Sequence, residues 1–177
     1  HALLEHTADG RPFWAYGGDF GDHPNDANFV CDGLVSADRI PHPAIHEFQH
    51  LAQPVCSTLI SCQGSKIMLE ITNRRHFTPL NDLDADWTLR RDGAVCKRGK
   101  LPIPVLGPGC KVAVTVRTGI EPDAGAEWTM DLNFRTNKST WAVPAGHLVA
   151  WDQLQLNRRP AQKNAPGKSV AALEVAY

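Results

Sequence analysis

His46 and His50 are spaced to hold a metal: they lie four positions apart in the run His46-Glu47-Phe48-Gln49-His50. On a helix this spacing puts both imidazoles on one face, where they could bind zinc with Glu47 as the general base of a peptidase. No HxxGxxH extension follows, however, and the nearest later acid, Glu70, falls in an expected strand. Packing or surface histidines on a short helix are the better reading. A second candidate is the stretch WAYGGDFGDHPNDANFVCDGLVSADRIPHP, residues 14–43, where Gly, Asp, Asn and aromatics crowd together. Gly17, Gly18 and Gly21 fit sharp backbone bends. They form no GxGxxG or GxxxxGK[ST] pattern, so a nucleotide loop is excluded. Asp19 and Asp22 are expected to form turns by bonding nearby amides, and Asn25, Asp26 and Asn28 to shape the loop by hydrogen bonds. The five cysteines (Cys31, Cys56, Cys62, Cys96, Cys110) form no CxxC pair. Reduced thiols in a cytoplasmic protein fit that odd count best. Cys56 and Cys62 read as buried thiols rather than a disulfide or metal pair.

The elements that must position these groups fall into two regimes. Residues 1–43 hold no helical or alternating period and are expected to form a long ordered loop, a kind of loop that is usually functional. From Pro43 to about Ala52, Ala44, Ile45, Phe48 and Leu51 recur at helical spacing, with Pro43 suited to the first turn. A loop and one short helix cannot bury a core by themselves, so this part is expected to depend on chain that precedes it.

From Gln53 onward the pattern switches to short β-rich runs: PVCSTLI, KIMLEIT, DWTLRR, AVCKRGKL, KVAVTVR, EWTMDLNFR and HLVAWDQLQL. Asp92-Gly93 joins two of them as a tight hairpin. About seven such strands match an immunoglobulin-like sandwich, although no inter-sheet disulfide of the antibody kind is evident. Alternation in WTMDLNF predicts that Trp128, Met130, Leu132 and Phe134 share the buried face. Trp87 and Trp151 are also expected in the core, whereas Trp141, in a Thr-rich loop, could be exposed. The tail NRRPAQKNAPGKS reads as a linker, and SVAALEVAY as the first strand of a further domain.

Composition narrows the function classes. Hydrophobic residues at 42% and charged residues at 21% mark a globular chain rather than a disordered one. A formal net charge of −1 provides no footprint for nucleic acid or an anionic membrane, and the pairs Arg74-Arg75, Arg90-Arg91 and Arg158-Arg159 are short and scattered. No apolar run approaches the roughly 20 residues of a membrane helix. The opening HALLEHTADGRPF has neither an initiating Met nor the features of a signal peptide, which suggests a chain cut from something longer.

Residues 14–43 closely resemble the last loop of the (β/α)8 catalytic barrel in the large bacterial β-galactosidases of glycoside hydrolase family 2. The run YGGDFGD-x-PND-x-x-F, the Gly-Leu-Val step and D-R-x-P-H-P stand in the family's order and spacing. NRRHFTPLNDLDADWTLRRDG resembles the opening of the sandwich domain that follows that barrel, and AGHLVAWDQLQL its final strand. The resemblance implies a mostly β chain. Residues 1–52 would be the end of the barrel, with its last loop and helix. Residues 53–157 would be the immunoglobulin-like sandwich, and residues 158–177 a linker and the first strand of a C-terminal β-domain.

It further implies a retaining enzyme that hydrolyses terminal β-D-galactosides such as lactose through a pair of Glu residues roughly 5 Å apart. In the family those residues and the Mg²⁺ ligands lie upstream of this loop. No catalytic residue is therefore assigned here, and the fragment alone is expected to be inactive. The family also holds a Na⁺ or K⁺ beside the galactose. By position, the Phe29 backbone carbonyl and the Asp32 side chain would be ligands, and the Phe29 ring would line the sugar pocket. Such oxygens suit a hard cation. Asp32 stands where the best-known member has Asn, which leaves the ion preference open, and it could instead cap the turn before Gly33. The implied partners are the galactoside substrate and the remainder of a homo-oligomeric parent. The rival from another class is a freestanding immunoglobulin-like binding or adhesion module.

Overall fold

In the computed structural model, residues 2–27 and 33–157 are described. The chain divides into two compact units, His1–Pro54 and Val55–Tyr177.

The first unit opens with a hairpin that the sequence pattern does not announce. Strands β1 (Leu3–His6) and β2 (Pro12–Ala15) pair antiparallel. The Thr7 amide donates to the Arg11 carbonyl at 2.9 Å, and Gly10 turns the chain at φ 82°. The expectation of a loop throughout residues 1–43 is corrected here. Four-residue strands with the apolar doublets Leu3-Leu4 and Phe13-Trp14 are too short, and too apolar on both faces, to show an alternating period. Helix α1 (Pro43–Leu51) forms as expected, with Pro at its first turn, where a missing N–H costs nothing. None of its residues is buried: Phe48 is 58% and Leu51 62% exposed. Ala15 is the only buried apolar residue among the described residues of this unit, so those residues form no core of their own.

The second unit is mostly β, an immunoglobulin-like sandwich built from the seven expected runs: β3 (Val55–Gln63), β4 (Lys66–Asn73), β5 (Leu83–Arg91), β6 (Ala94–Leu101), β7 (Lys111–Arg117), β8 (Trp128–Thr136) and β9 (Leu148–Gln155). They form a three-stranded sheet, β3-β4-β7, and a four-stranded sheet, β6-β5-β8-β9, antiparallel throughout. Period-two alternation sends Ile67, Leu69 and Ile71 of β4, Ala85, Trp87 and Leu89 of β5, and Trp128, Met130, Leu132 and Phe134 of β8 into one shared core. The Asp152 carboxylate on β9 accepts a 2.6 Å hydrogen bond from the Ser57 amide on β3, tying one sheet to the other. The expected hairpin between β5 and β6 is present, with Asp92 at φ 48° and Gly93 at φ 80°. This is the pair of positive angles that a two-residue turn matched to strand twist requires. Trp87 and Trp128 are buried and Trp141 is 99% exposed. Cys56, Cys62, Cys96 and Cys110 are free thiols, and partial burial pushes the Cys56 and Cys62 thiols up from their ordinary value.

Gly99 on β6 stands directly across from Trp87, whose indole lies where a side chain would go: a Cβ there would sit 2.5 Å from the ring. Because that ring is buried and also donates from Nε1 to the Lys100 carbonyl, it has little room to retreat. Gly99→Ala should therefore destabilise the sandwich by about 1–3 kcal/mol. Chemical denaturation checks this, and an unchanged midpoint would show that the indole moves freely.

One end of the sandwich is fastened by buried polar groups. Asn73, fully buried at the end of β4, shares its two Nδ2 hydrogens among the carbonyls of Thr78, Leu106 and Gly107, each at 3.0 Å. Its Oδ1 accepts from the Arg75 amide at 2.9 Å. Arg75 reaches on to Asp82 at 2.6 Å and to the Pro79 carbonyl. Asn137 donates its amide to the Asp82 carbonyl and its side chain to the Asn81 carbonyl. The β4–β5, β6–β7 and β8–β9 loops are thus bound into one assembly.

Candidate functional site

The loop that follows β2 is shaped almost entirely by short-range polar bonds. Tyr16 is extended, and Gly17 at φ 52° turns the chain into a single 3₁₀ turn, Gly17–Phe20. Only glycine fits at position 17, because a Cβ there would meet the Ala27 carbonyl oxygen at 2.5 Å. Asp19 closes the turn from both sides. Its carboxylate accepts from the Tyr16 amide at 3.1 Å, and its own amide donates to the Tyr16 carbonyl. Asn25 spans the next bend, donating to the Asp22 carbonyl at 2.7 Å and accepting from the Ala27 amide at 3.0 Å. The expected loop-shaping roles of Asp19 and Asn25 are observed. Asp22 contributes its backbone carbonyl rather than its carboxylate.

Beyond residue 32 the chain is again tightly bonded. Val35 bridges to Pro41, the His42 amide donates to the Leu34 carbonyl, and the His42 ring meets the Gly33 carbonyl through Nδ1 at 2.9 Å. Ser36 donates its hydroxyl to Asp38, and the Ile40 amide adds a bond to the same carboxylate. The Ser36 hydroxyl, helped by that amide, holds the exposed Asp38 carboxyl below its usual range.

Phe29 and Asp32, the two residues put forward for cation and sugar binding, lie outside the described residues, as do Asn28 and Cys31. Their flanks are the part of the site on view. Next to the Gly17–Phe20 turn, Phe13, Trp14, Tyr16, Asp19 and Asn25 line an open concavity of about 510 Å³. Sequence reasoning did not assign Trp14 or Tyr16 to a site. The available cue was that aromatics at the end of a short strand are followed at once by two glycines.

The His46 and His50 reading gains nothing. Among the described residues no three His, Cys, Asp or Glu side chains come together as a metal site, and Glu70 on β4 is engaged by Lys111 at 2.8 Å. A larger concavity, about 650 Å³, lies over the outer face of the four-stranded sheet. Its carboxylates are all engaged, Asp152 by the Ser57 amide. Asp131 accepts from Arg90 at 2.5 Å and from Gln153 at 2.7 Å, and Asn133 donates to Asp86. A cross-strand ladder of this kind supports the sheet and leaves no carboxylate poised for acid–base work.

Comparison with known proteins bears on both units. Residues 1–57 match the family described as glycosyl hydrolases family 2, TIM barrel domain, and residues 69–157 match the one described as beta-galactosidase, domain 4. The chain is 37% identical over 155 residues to Beta-galactosidase 2 of Enterobacter cloacae, covering 88% of this chain and 15% of that protein. It is 38% identical over 161 residues to a Beta-galactosidase of Aeromonas hydrophila, covering 90% and 15%. It is 32% identical over 155 residues to a Beta-galactosidase of Pectobacterium atrosepticum, covering 88% and 15%. The chain thus spans 15% of the length of these relatives.

Proposed function

Because this chain belongs to the β-galactosidases of glycoside hydrolase family 2, we propose that it is the end of the catalytic barrel and the following sandwich of an enzyme that cleaves terminal β-D-galactosides, lactose among them. The observation that carries this reading is the loop after β2. Glycine bends and Asp19 and Asn25 side chains fold it against itself beside an aromatic-lined concavity. Aromatic faces beside amide and carboxylate groups suit a sugar ring, which offers C–H faces and a rim of hydroxyls.

The division of labour follows from where the groups lie. The Glu pair of a retaining mechanism, and any Mg²⁺ site, belong to the part of the parent before residue 1. Residues 1–52 complete the barrel and residues 53–157 form the sandwich; the linker and strand expected over residues 158–177 lie outside the described residues. A carbonyl and a carboxylate are the oxygen donors that a hard monovalent cation requires, so the Phe29 carbonyl and Asp32 fit Na⁺ or K⁺ in their chemistry. The cation would supply a fixed positive charge to orient a sugar hydroxyl, with the Phe29 ring against the sugar. The thiols of Cys56, Cys62, Cys96 and Cys110 support a cytoplasmic parent.

The test uses the full-length parent. Asp32→Ala is expected to raise the sodium concentration needed for half-maximal hydrolysis of a chromogenic galactoside by about tenfold or more, and the 177-residue chain by itself should turn over none. An unchanged sodium dependence removes Asp32 from the site, and turnover by the isolated chain removes the assignment of chemistry to upstream residues.

A further inference from the structure

The outer face of the four-stranded sheet is troughed, and the cause is side-chain length. Register sets Asp86 and Asn133 between Lys100 and Trp151 in one row across the strands, and Thr88 and Asp131 between Arg98 and Gln153 in the next. Long side chains therefore stand on the outer strands β6 and β9, and shorter ones on the inner strands β5 and β8. The concavity of about 650 Å³ lies here, and a second of about 360 Å³ shares Asp86 with it and continues to Asn137 and Gly146. From Arg90 to Asp84 the floor follows β5 for about 20 Å, at the rise of an antiparallel strand.

The lining matches a neutral, polyhydroxylated chain. Carboxylates and cations around the two concavities balance, four of each, so no net charge calls for an ionic ligand. The cross-strand ladder holds Asp131 between Arg90 and Gln153, and Asp86 beside Asn133, which fixes these groups before a ligand arrives. A carboxylate has acceptor capacity left after one or two such bonds and can take a sugar hydroxyl as well. Arg98 takes part in no ion pair among the described residues, and its guanidinium supplies donors at the rim. Trp151 is half-buried in the opposite wall and offers an apolar surface for the C–H face of a sugar ring. Solvation of an outer sheet face is met by polar residues at every outward position. An indole walling a polar trough is not needed for that.

We propose that this trough, made by the sandwich alone, binds a neutral linear oligosaccharide without cleaving it. The chain it takes carries β-galactosyl units; that choice of sugar, though not the trough itself, rests on the reading of the protein as part of a β-galactosidase.

Heteronuclear NMR of the 177-residue chain tests it, with β-1,4-galactotetraose as the probe and tetragalacturonate as its charged counterpart. Galactotetraose is expected to shift the Trp151 indole N–H and the side-chain amides of Asn133 and Gln153, while the Trp141 indole stays where it is. Trp151→Ala should weaken binding by about tenfold or more, as truncation of an aromatic anchor does, and Trp151→Phe should recover most of it. Arg98→Ala, at an exposed position, should weaken binding with the melting temperature unchanged. If Trp151→Ala does not fold, the wild-type shifts and Arg98→Ala decide. Three results would overturn the proposal: no shift in the trough with about 10 mM probe, shifts confined to Phe13, Trp14 and Tyr16, or tighter binding of tetragalacturonate than of galactotetraose. Turnover of a chromogenic galactoside by the full-length parent is read separately. A parent that cleaves it while the trough stays silent loses the trough and keeps the functional reading; binding in the trough of a parent without turnover does the reverse.

Discussion

Replacing Asn73 with Ala is expected to destabilise the sandwich by about 2–4 kcal/mol, because one substitution removes every hydrogen bond that a fully buried side chain makes to the backbone of two loops. The Asn73 side chain is fully buried and satisfies the carbonyls of Thr78, Leu106 and Gly107 together with the Arg75 amide. The Leu106 and Gly107 carbonyls also accept from the Leu80 and Cys110 amides, so the loss falls mainly on the Thr78 carbonyl and the Arg75 amide. The measurement is a shift of the denaturation midpoint, with Asn73→Asp as a second variant. Aspartate keeps the shape but turns the donor toward three carbonyls into an acceptor, so it should be no more stable than Ala. If Asp were tolerated and Ala were not, packing volume rather than hydrogen bonding would hold this end together. Loss of the staple should also raise backbone amide exchange in residues 74–82 and 102–110 before the strands themselves open, since Asn73 links those two loops directly.

Much of the sandwich was legible because its information is local and periodic. The β-rich run of β4, the alternation in β8 and the Asp92-Gly93 turn each place strands from a few neighbouring residues. Helix α1 was legible for a similar reason, with Pro43 marking its start and apolar residues repeating at helical spacing. The β1–β2 hairpin was not. Its strands span four residues each, and its apolar doublets fit the interior of a larger structure better than a half-exposed sheet. The staple at Asn73 escaped for the opposite reason: its partners Leu106 and Gly107 lie 33 and 34 positions away, and no pattern in a sequence window joins them.

The candidate site divides along the same line. Asp19 and Asn25 bond within three residues of themselves, so their types and spacing were enough to assign them. Phe29 and Asp32 came only from family resemblance. A backbone carbonyl that binds a cation leaves no mark in the identity of its own side chain, so residue type alone could not have singled out Phe29 as a ligand.

The stripe on β8 leads to the largest effect expected of any single substitution considered. Phe134→Ala should cost the sandwich about 3–5 kcal/mol, because the lost burial is compounded by a cavity. Phe134 is fully buried, and the register places Ala85 of β5 and Ala150 of β9 on either side of it. Two methyl-sized neighbours cannot extend to fill the space a phenyl ring vacates, so little relaxation is available to reduce the loss. Asn133→Ala, one position earlier on the same strand, serves as the control. Its side chain points to the opposite face and donates one bond to Asp86 at 3.1 Å, so the expected loss is about 1 kcal/mol or less. Because successive residues of a strand face opposite sides, the contrast between these neighbours also tests the register of β8: a slip by one position would exchange their burial and reverse the order of the two effects. Equal midpoints for the two variants in urea would contradict the core described here. A large loss confined to Phe134→Ala, with the slope of the transition preserved, would show that the strand is held as the alternation requires.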